Sequence, residues 1–197
     1  MKSSDQHRSL HICVFCGARP GKSKIYTETA ALVGTEIAKS GAGLTYGGGK
    51  LGLMGIVAEA ALEGGTNILG IMPEFLRQHP LHDGERSRHL FVDDLFQRKA
   101  ALIRHSDAFV ALPGGIGTFD EVIEIIAWRQ LSQLDKPIGL LNVNCYFTPM
   151  LEMFRRAIDE GFVDKKAIDE LVIETCPKTL IERLISLAPD DEKNSSL

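Results

Sequence analysis

Long apolar runs are missing from this 197-residue chain, and so is any marked charge imbalance. The apolar stretch 10–15 follows a polar MKSSDQHRS opening and is far shorter than a signal-peptide core or a spanning helix, so no membrane partner is expected. Twenty-two basic and 26 acidic residues leave a formal net charge of −4. That balance gives no electrostatic case for general binding of nucleic acid or an anionic surface. A small anionic ligand needs only a local site and stays open. Cysteine is scarce: Cys13, Cys16, Cys145 and Cys176 are too few and too scattered for a disulfide scaffold. Their apolar neighbours predict reduced, buried thiols in a cytoplasmic protein. Also missing are an internal repeat, a linker to a second domain and the G-x-S-x-G elbow of one class of serine hydrolases.

What remains is an ordinary globular composition, 44% hydrophobic and 24% charged, with 19 glycines gathered in clusters. Strand-like and helix-like runs alternate. Strands are predicted near 10–15, 44–46, 67–72, 89–92, 108–112, 137–143 and 171–174. Helices are predicted over 26–40, 53–63, 95–106, 118–134, 148–160 and 177–187, with a polar loop or flap over 74–88. The strand runs are mostly continuous apolar stretches, with 89–92 the weakest, which points to a mostly parallel sheet with helices on both faces, a doubly wound, Rossmann-like α/β domain. The expected organisation is a flexible segment 1–9, one nucleotide-binding catalytic domain over 10–188 and a flexible tail 189–197. In such a sheet a ligand lies beyond the carboxyl ends of the strands, where the glycine clusters fall.

The most informative segment is PGGIGTFDE, residues 113–121, leaving one apolar run and entering another. Glycines 114, 115 and 117 let the main chain approach a ligand, and the free amides of a helix start suit a phosphate. A plainer reading also fits, in which Thr118 and Glu121 form a capping box that only starts the helix. The second loop, Gly47-Gly48-Gly49-Lys50-Leu51-Gly52, matches G-x-G-x-x-G, with Glu74 about 20 residues on. It therefore admits an NAD(P) reading, although it falls in the second βα unit. It is not a Walker A loop, because Leu44 and Leu51 stand where Gly and Ser or Thr belong. Arg98 and Lys99 form a cationic pair that reads either as a solvated face or as a grip on an anion. Cys13-x-x-Cys16 places its thiols on opposite faces of a strand, which reads as core and not as a metal site. His79, His82 and His89 share no common face and read as loop residues. Neither Lys50 nor Lys99 has a recognisable Schiff-base setting.

Together these motifs resemble the LOG family, the cytokinin-activating phosphoribohydrolases once widely labelled lysine decarboxylase-like. PGGIGTFDE is similar to the family's PGGxGTxxE signature. The resemblance runs through CVFCGARPG (13–21), YGGGKLGLMG (46–55), QRKA (97–100), SDAFVALPGG (106–115) and KPIGLLNV (136–143), covering about residues 10–165. It implies hydrolysis of the N-glycosidic bond of AMP or an N6-modified AMP to free base and ribose 5-phosphate, without a cofactor or a metal. By the same resemblance Arg98 and Glu121 are the catalytic pair. Lys99, Gly114, Gly115, Ile116, Gly117 and Thr118 hold the ribose phosphate, and Gly47, Gly48 and Gly49 line the floor. The apolar 122–128 stretch is broader than one buried face requires, so its surplus side, with parts of 98–106, is expected at the contact of a two-fold homodimer, and the family's usual dimer agrees. The chain departs from the family pattern at Leu95-Phe96, Ala127 and Gln78-His79-Pro80. A non-catalytic nucleotide carrier of the same fold is the alternative.

Overall fold

Strand β1 (His11–Phe15) shows why the sheet forms. Ile12 and Val14 enter one apolar cluster and Cys13 and Phe15 another, so the strand is covered on both faces and carries no polar alternation. The computed structural model describes residues 10–79 and 81–189. The segments expected to be flexible lie outside the described residues, apart from Pro189.

After β1 come α1 (Lys24–Lys39), β2 (Gly43–Tyr46), α2 (Gly52–Glu63), β3 (Ile68–Pro73), β4 (Ser87–Val92) and α3 (Leu95–Arg104). The second half runs β5 (Ala108–Ala111), α4 (Ile116–Gln130), β6 (Ile138–Leu141), α5 (Thr148–Asp159), α6 (Lys165–Asp169), β7 (Val172–Glu174) and α7 (Pro177–Leu187). All seven strands are parallel, in the order β4-β3-β2-β1-β5-β6-β7. Helices α1, α2 and α7 cover one face, and α3, α4, α5 and α6 contribute to the core on the other. The doubly wound reading is thus the observed architecture.

Differences from expectation have local causes. Helix α4 starts at Ile116, two residues early, because Gly115 is the N-cap, and it stops before Ser132, whose φ is +55°. The five-residue α6 is too short to leave a periodic trace. Pro73, expected to stop β3, is its last residue, where a missing N–H costs least. The 74–88 stretch is not wholly a polar loop: His82 is buried, and β4 begins at Ser87.

The cysteines divide against the simple expectation. Cys13 and Cys16 are buried in the two opposite clusters, as the strand spacing implied, whereas Cys145 and Cys176 are exposed. Burial pushes the thiols of Cys13 and Cys16 up, and hydrogen bonds from the Thr179 end of α7 pull that of Cys176 down. A thiol-reactive dye should therefore label two of the four cysteines rapidly in the native protein, Cys176 first, and all four only in denaturant. Rapid native labelling of Cys13 would contradict the packing described.

Candidate active site

The strand order reverses between β1 and β5, and the loops that follow these two strands part to form a cleft. Its volume is about 640 Å³, within the range of small-molecule sites. The loop after β1 supplies Cys16, Gly17, Ala18, Arg19, Pro20 and Gly21, and the loop after β5 supplies Pro113, Gly114 and Gly115. The two loops are joined where Gly17 N–H donates to Pro113 O at 3.1 Å.

Helix α4 opens onto this cleft. Its N-cap, Gly115, has extended backbone and no side-chain cap, so the amides of Ile116, Gly117 and Thr118 are the unpaired first donors of a 15-residue helix. The capping box between Thr118 and Glu121 is not formed. Thr118 lies inside the first turn, close against Gly114: a Cβ at 114 would meet Thr118 Oγ1 at 2.1 Å, so only glycine permits this closure.

Glu121, in the second turn of α4, accepts a hydrogen bond from Arg98 Nη1 at 2.8 Å. Arg98 comes from the first turn of α3, whose start is fixed by the Asp94 side chain accepting from Gln97 N–H. Its Nε donates to Ile71 O at the end of β3, 3.0 Å away. The guanidinium side chain is 16% exposed and the carboxylate 10%. Burial pushes the Glu121 carboxyl above the usual carboxylate range, while the Arg98 cation pulls it back. Both line the cleft.

Not every expected residue joins them. Gly47 lines the cleft, but Gly48 and Gly49 do not. The reason for glycine at 47 is Arg98 itself, whose Nη2 lies 2.2 Å from where a Cβ would stand. Lys99 is not at the cleft either. Its Nζ pairs with Asp120 at 3.2 Å and Glu124 at 3.1 Å on α4, making a second cross-link between α3 and α4. No lysine lines the cleft among the described residues, so pyridoxal phosphate has no Schiff-base anchor there. Glu74, the acid expected of a dinucleotide site, is exposed and bound by Arg77 through two hydrogen bonds. Among the described residues no group of His, Cys, Asp or Glu is arranged to hold a metal.

The sequence reading missed Arg19, Tyr26, Leu53, Met54 and Tyr146, all of which line the cleft. Arg19 was accessible from topology, since it sits in a switch-point loop. Tyr146 lies beyond β6 and carried no local signal.

Breaking a buried pair by deleting one partner strands the other charge. Arg98→Ala should lower the unfolding free energy by about 3 kcal/mol at neutral pH in a denaturant titration. The loss should shrink as the pH falls from neutral into the acid range. Without the arginine the carboxyl's proton affinity rises further, so the folded state takes up a proton and sheds the unpaired charge. A loss that stays constant across that interval would show that Glu121 is not the stranded group.

Comparison with known proteins identifies the family. The profile of the family described as "Possible lysine decarboxylase" matches residues 54–184. The probable cytokinin riboside 5'-monophosphate phosphoribohydrolase LOGL2 of Oryza sativa subsp. japonica is 44% identical over 188 residues, 95% of this chain and 77% of that protein. The cytokinin riboside 5'-monophosphate phosphoribohydrolase LOG3 of Arabidopsis thaliana is 40% identical over 192 residues, 98% and 89% of the two chains. Among solved structures, the molybdenum cofactor binding protein of Rippkaea orientalis superposes with a TM-score of 0.68. It covers 91% of this chain and 98% of its own at 21% identity, a likeness of fold alone. With a family profile across two thirds of its length and relatives of 40% identity or more along nearly all of it, the chain belongs to the LOG family, the group that the older label calls possible lysine decarboxylases.

Proposed function

We propose that this protein hydrolyses the N-glycosidic bond of a purine nucleoside 5′-monophosphate, AMP or an N6-modified AMP, giving the free base and ribose 5-phosphate. The observation that carries the reading is that one helix presents both halves of the required chemistry. The unpaired amides of α4 open the cleft, and Glu121 follows five residues on, about 7 Å along the axis. That separation is on the scale of a ribose bearing a 5′-phosphate. The relatives whose names state this activity support it.

In this mechanism the phosphate sits on the amides of Gly115, Ile116, Gly117 and Thr118 and the Thr118 hydroxyl, placing the anomeric carbon beside Glu121. As the bond from C1′ to the base nitrogen lengthens, its electron pair leaves with the base and the ribose ring becomes oxocarbenium-like. The Glu121 carboxylate stabilises that charge and takes the proton of the water that bonds to C1′; that proton then passes through solvent to the departing base, which leaves neutral and returns Glu121 to its ionised form. Arg98 stays charged and is no proton donor. It keeps Glu121 ionised and fixes its orientation, anchored in turn by Ile71 O. Lys99 supports the pair from the far side by tying α3 to Asp120 and Glu124. Tyr26, Leu53 and Met54 give the cleft an apolar wall suited to a purine.

The protein is further read as a homodimer. Leu95 and Phe96 on α3 and Ile116, Ile123 and Trp128 on α4 leave large apolar side chains exposed beside the cleft, from 37% at Trp128 to 82% at Ile116. A second copy of this chain fits that face. Among the described residues no helix is long and apolar enough to cross a membrane.

Incubation with AMP and with N6-modified AMP should release free base and ribose 5-phosphate in equal amounts, read by chromatography. Glu121→Gln should keep AMP binding and lose at least about a hundredfold in kcat. AMP binding without base release by the native protein would instead favour the carrier reading. The kcat profile should fall on the acid side with a midpoint above that of an ordinary glutamate. Burial raises the Glu121 proton affinity, and the protonated acid neither stabilises the ring nor accepts a proton. Light scattering at micromolar concentration should give twice the chain mass, and a monomer would contradict the dimer.

A further inference from the structure

An amide cradle takes an anion only if the carbonyls around it point elsewhere. Around this cleft they are held by named donors. Pro113 O is taken by Gly17 N–H, Gly17 O by Leu53 N–H at 3.0 Å, and Gly115 O by Phe119 N–H at 3.1 Å. The carbonyl of Gly114, a residue that lines the cleft, stands immediately before the N-cap of α4. It accepts a hydrogen bond from the Tyr146 hydroxyl.

Tyr146 is placed for this with unusual backbone. Asn144 and Cys145, the two residues before it, have φ of +50° and +56°, a conformation L-residues rarely adopt and two in succession still more rarely. Such conformations persist where the surroundings impose them. Here Asn142 braces the turn: its Oδ1 accepts from Phe147 N–H at 2.7 Å, and its Nδ2 donates to Thr148 Oγ1 at 3.1 Å. The Tyr146 ring is stacked on Phe119 of α4, with centroids 6.3 Å apart and planes 15° apart, and stands edge-on to Tyr26 across the cleft wall. One side chain thus touches the phosphate-type loop, the helix that carries Glu121 and the opposite wall.

We infer that Tyr146 is a positioning residue for the substrate phosphate, acting through the Gly114 carbonyl to keep that oxygen out of the cradle and its amides directed inward. This rests on the function proposed above. Without the hydroxyl the Gly114 carbonyl is free to turn toward the anion, which costs phosphate affinity and leaves the Arg98–Glu121 pair untouched.

The test is Tyr146→Phe, which keeps the ring and its stacking. KM for AMP should rise about threefold to tenfold, the worth of one hydrogen bond, with kcat within about twofold of the native enzyme. The calorimetric Kd for ribose 5-phosphate should weaken by the same factor, and that for free adenine should not change. An unchanged Kd for ribose 5-phosphate overturns the inference. So does a weakening shared equally by adenine, which marks Tyr146 as general packing. The calorimetry needs no turnover, so a native protein that fails to hydrolyse AMP sinks the functional reading without deciding this one.

Discussion

A carboxylate and a guanidinium, both nearly withdrawn from water, meet at the base of the cleft, and the surrounding architecture is what makes that meeting tolerable. Charges so placed lose hydration worth several kcal/mol each and recover it only through close, directed partners. Arg98 has two, Glu121 Oε1 and the carbonyl of Ile71. The pair also bridges the fold: Arg98 reaches back to the end of β3 on one side of the switch point, and Glu121 rides the helix that follows β5 on the other. Chemistry and topology are joined in one contact.

The same contact assigns other residues their roles. Lys99 reads in sequence as a second cation for the ligand, yet two carboxylates of α4 absorb its charge and make it a brace. The glycine-rich loop after β2 looks like a dinucleotide cradle. In the folded chain its first glycine yields space to an arginine, and its last packs against the loop after β1, where a Cβ at Gly52 would come within 2.3 Å of Ala18. Glycine clusters mark close backbone approach without saying what approaches.

Much of the fold was legible because its signals are local. Apolar runs located all seven strands, although β4 was legible only over its last four residues because Ser87 and Arg88 open it, and Gly41 and Gly64 marked helix ends where they occur. The site was legible in part. Arg98 and Glu121 came from resemblance, and their mutual hydrogen bond, across 23 positions of sequence, has no local trace. Tyr146 was silent for the same reason, since its partner Gly114 lies 32 positions away. The thiols of Cys145 and Cys176 were misplaced because apolar neighbours in sequence do not bury a residue that a turn or a helix cap turns outward. Helix α4 was misjudged at both ends by chemistry no periodicity records, a glycine N-cap and a left-handed serine.

The vacancy at position 47 carries a lesson for reading variation in this chain. A methyl group there would come within 2.2 Å of Arg98 Nη2, so Gly47→Ala would displace the guanidinium of an arginine that is itself unaltered. The damage would surface at a carboxylate 74 positions downstream, as an anion deprived of its counter-ion, while every residue assigned to the chemistry still read correctly in the gene.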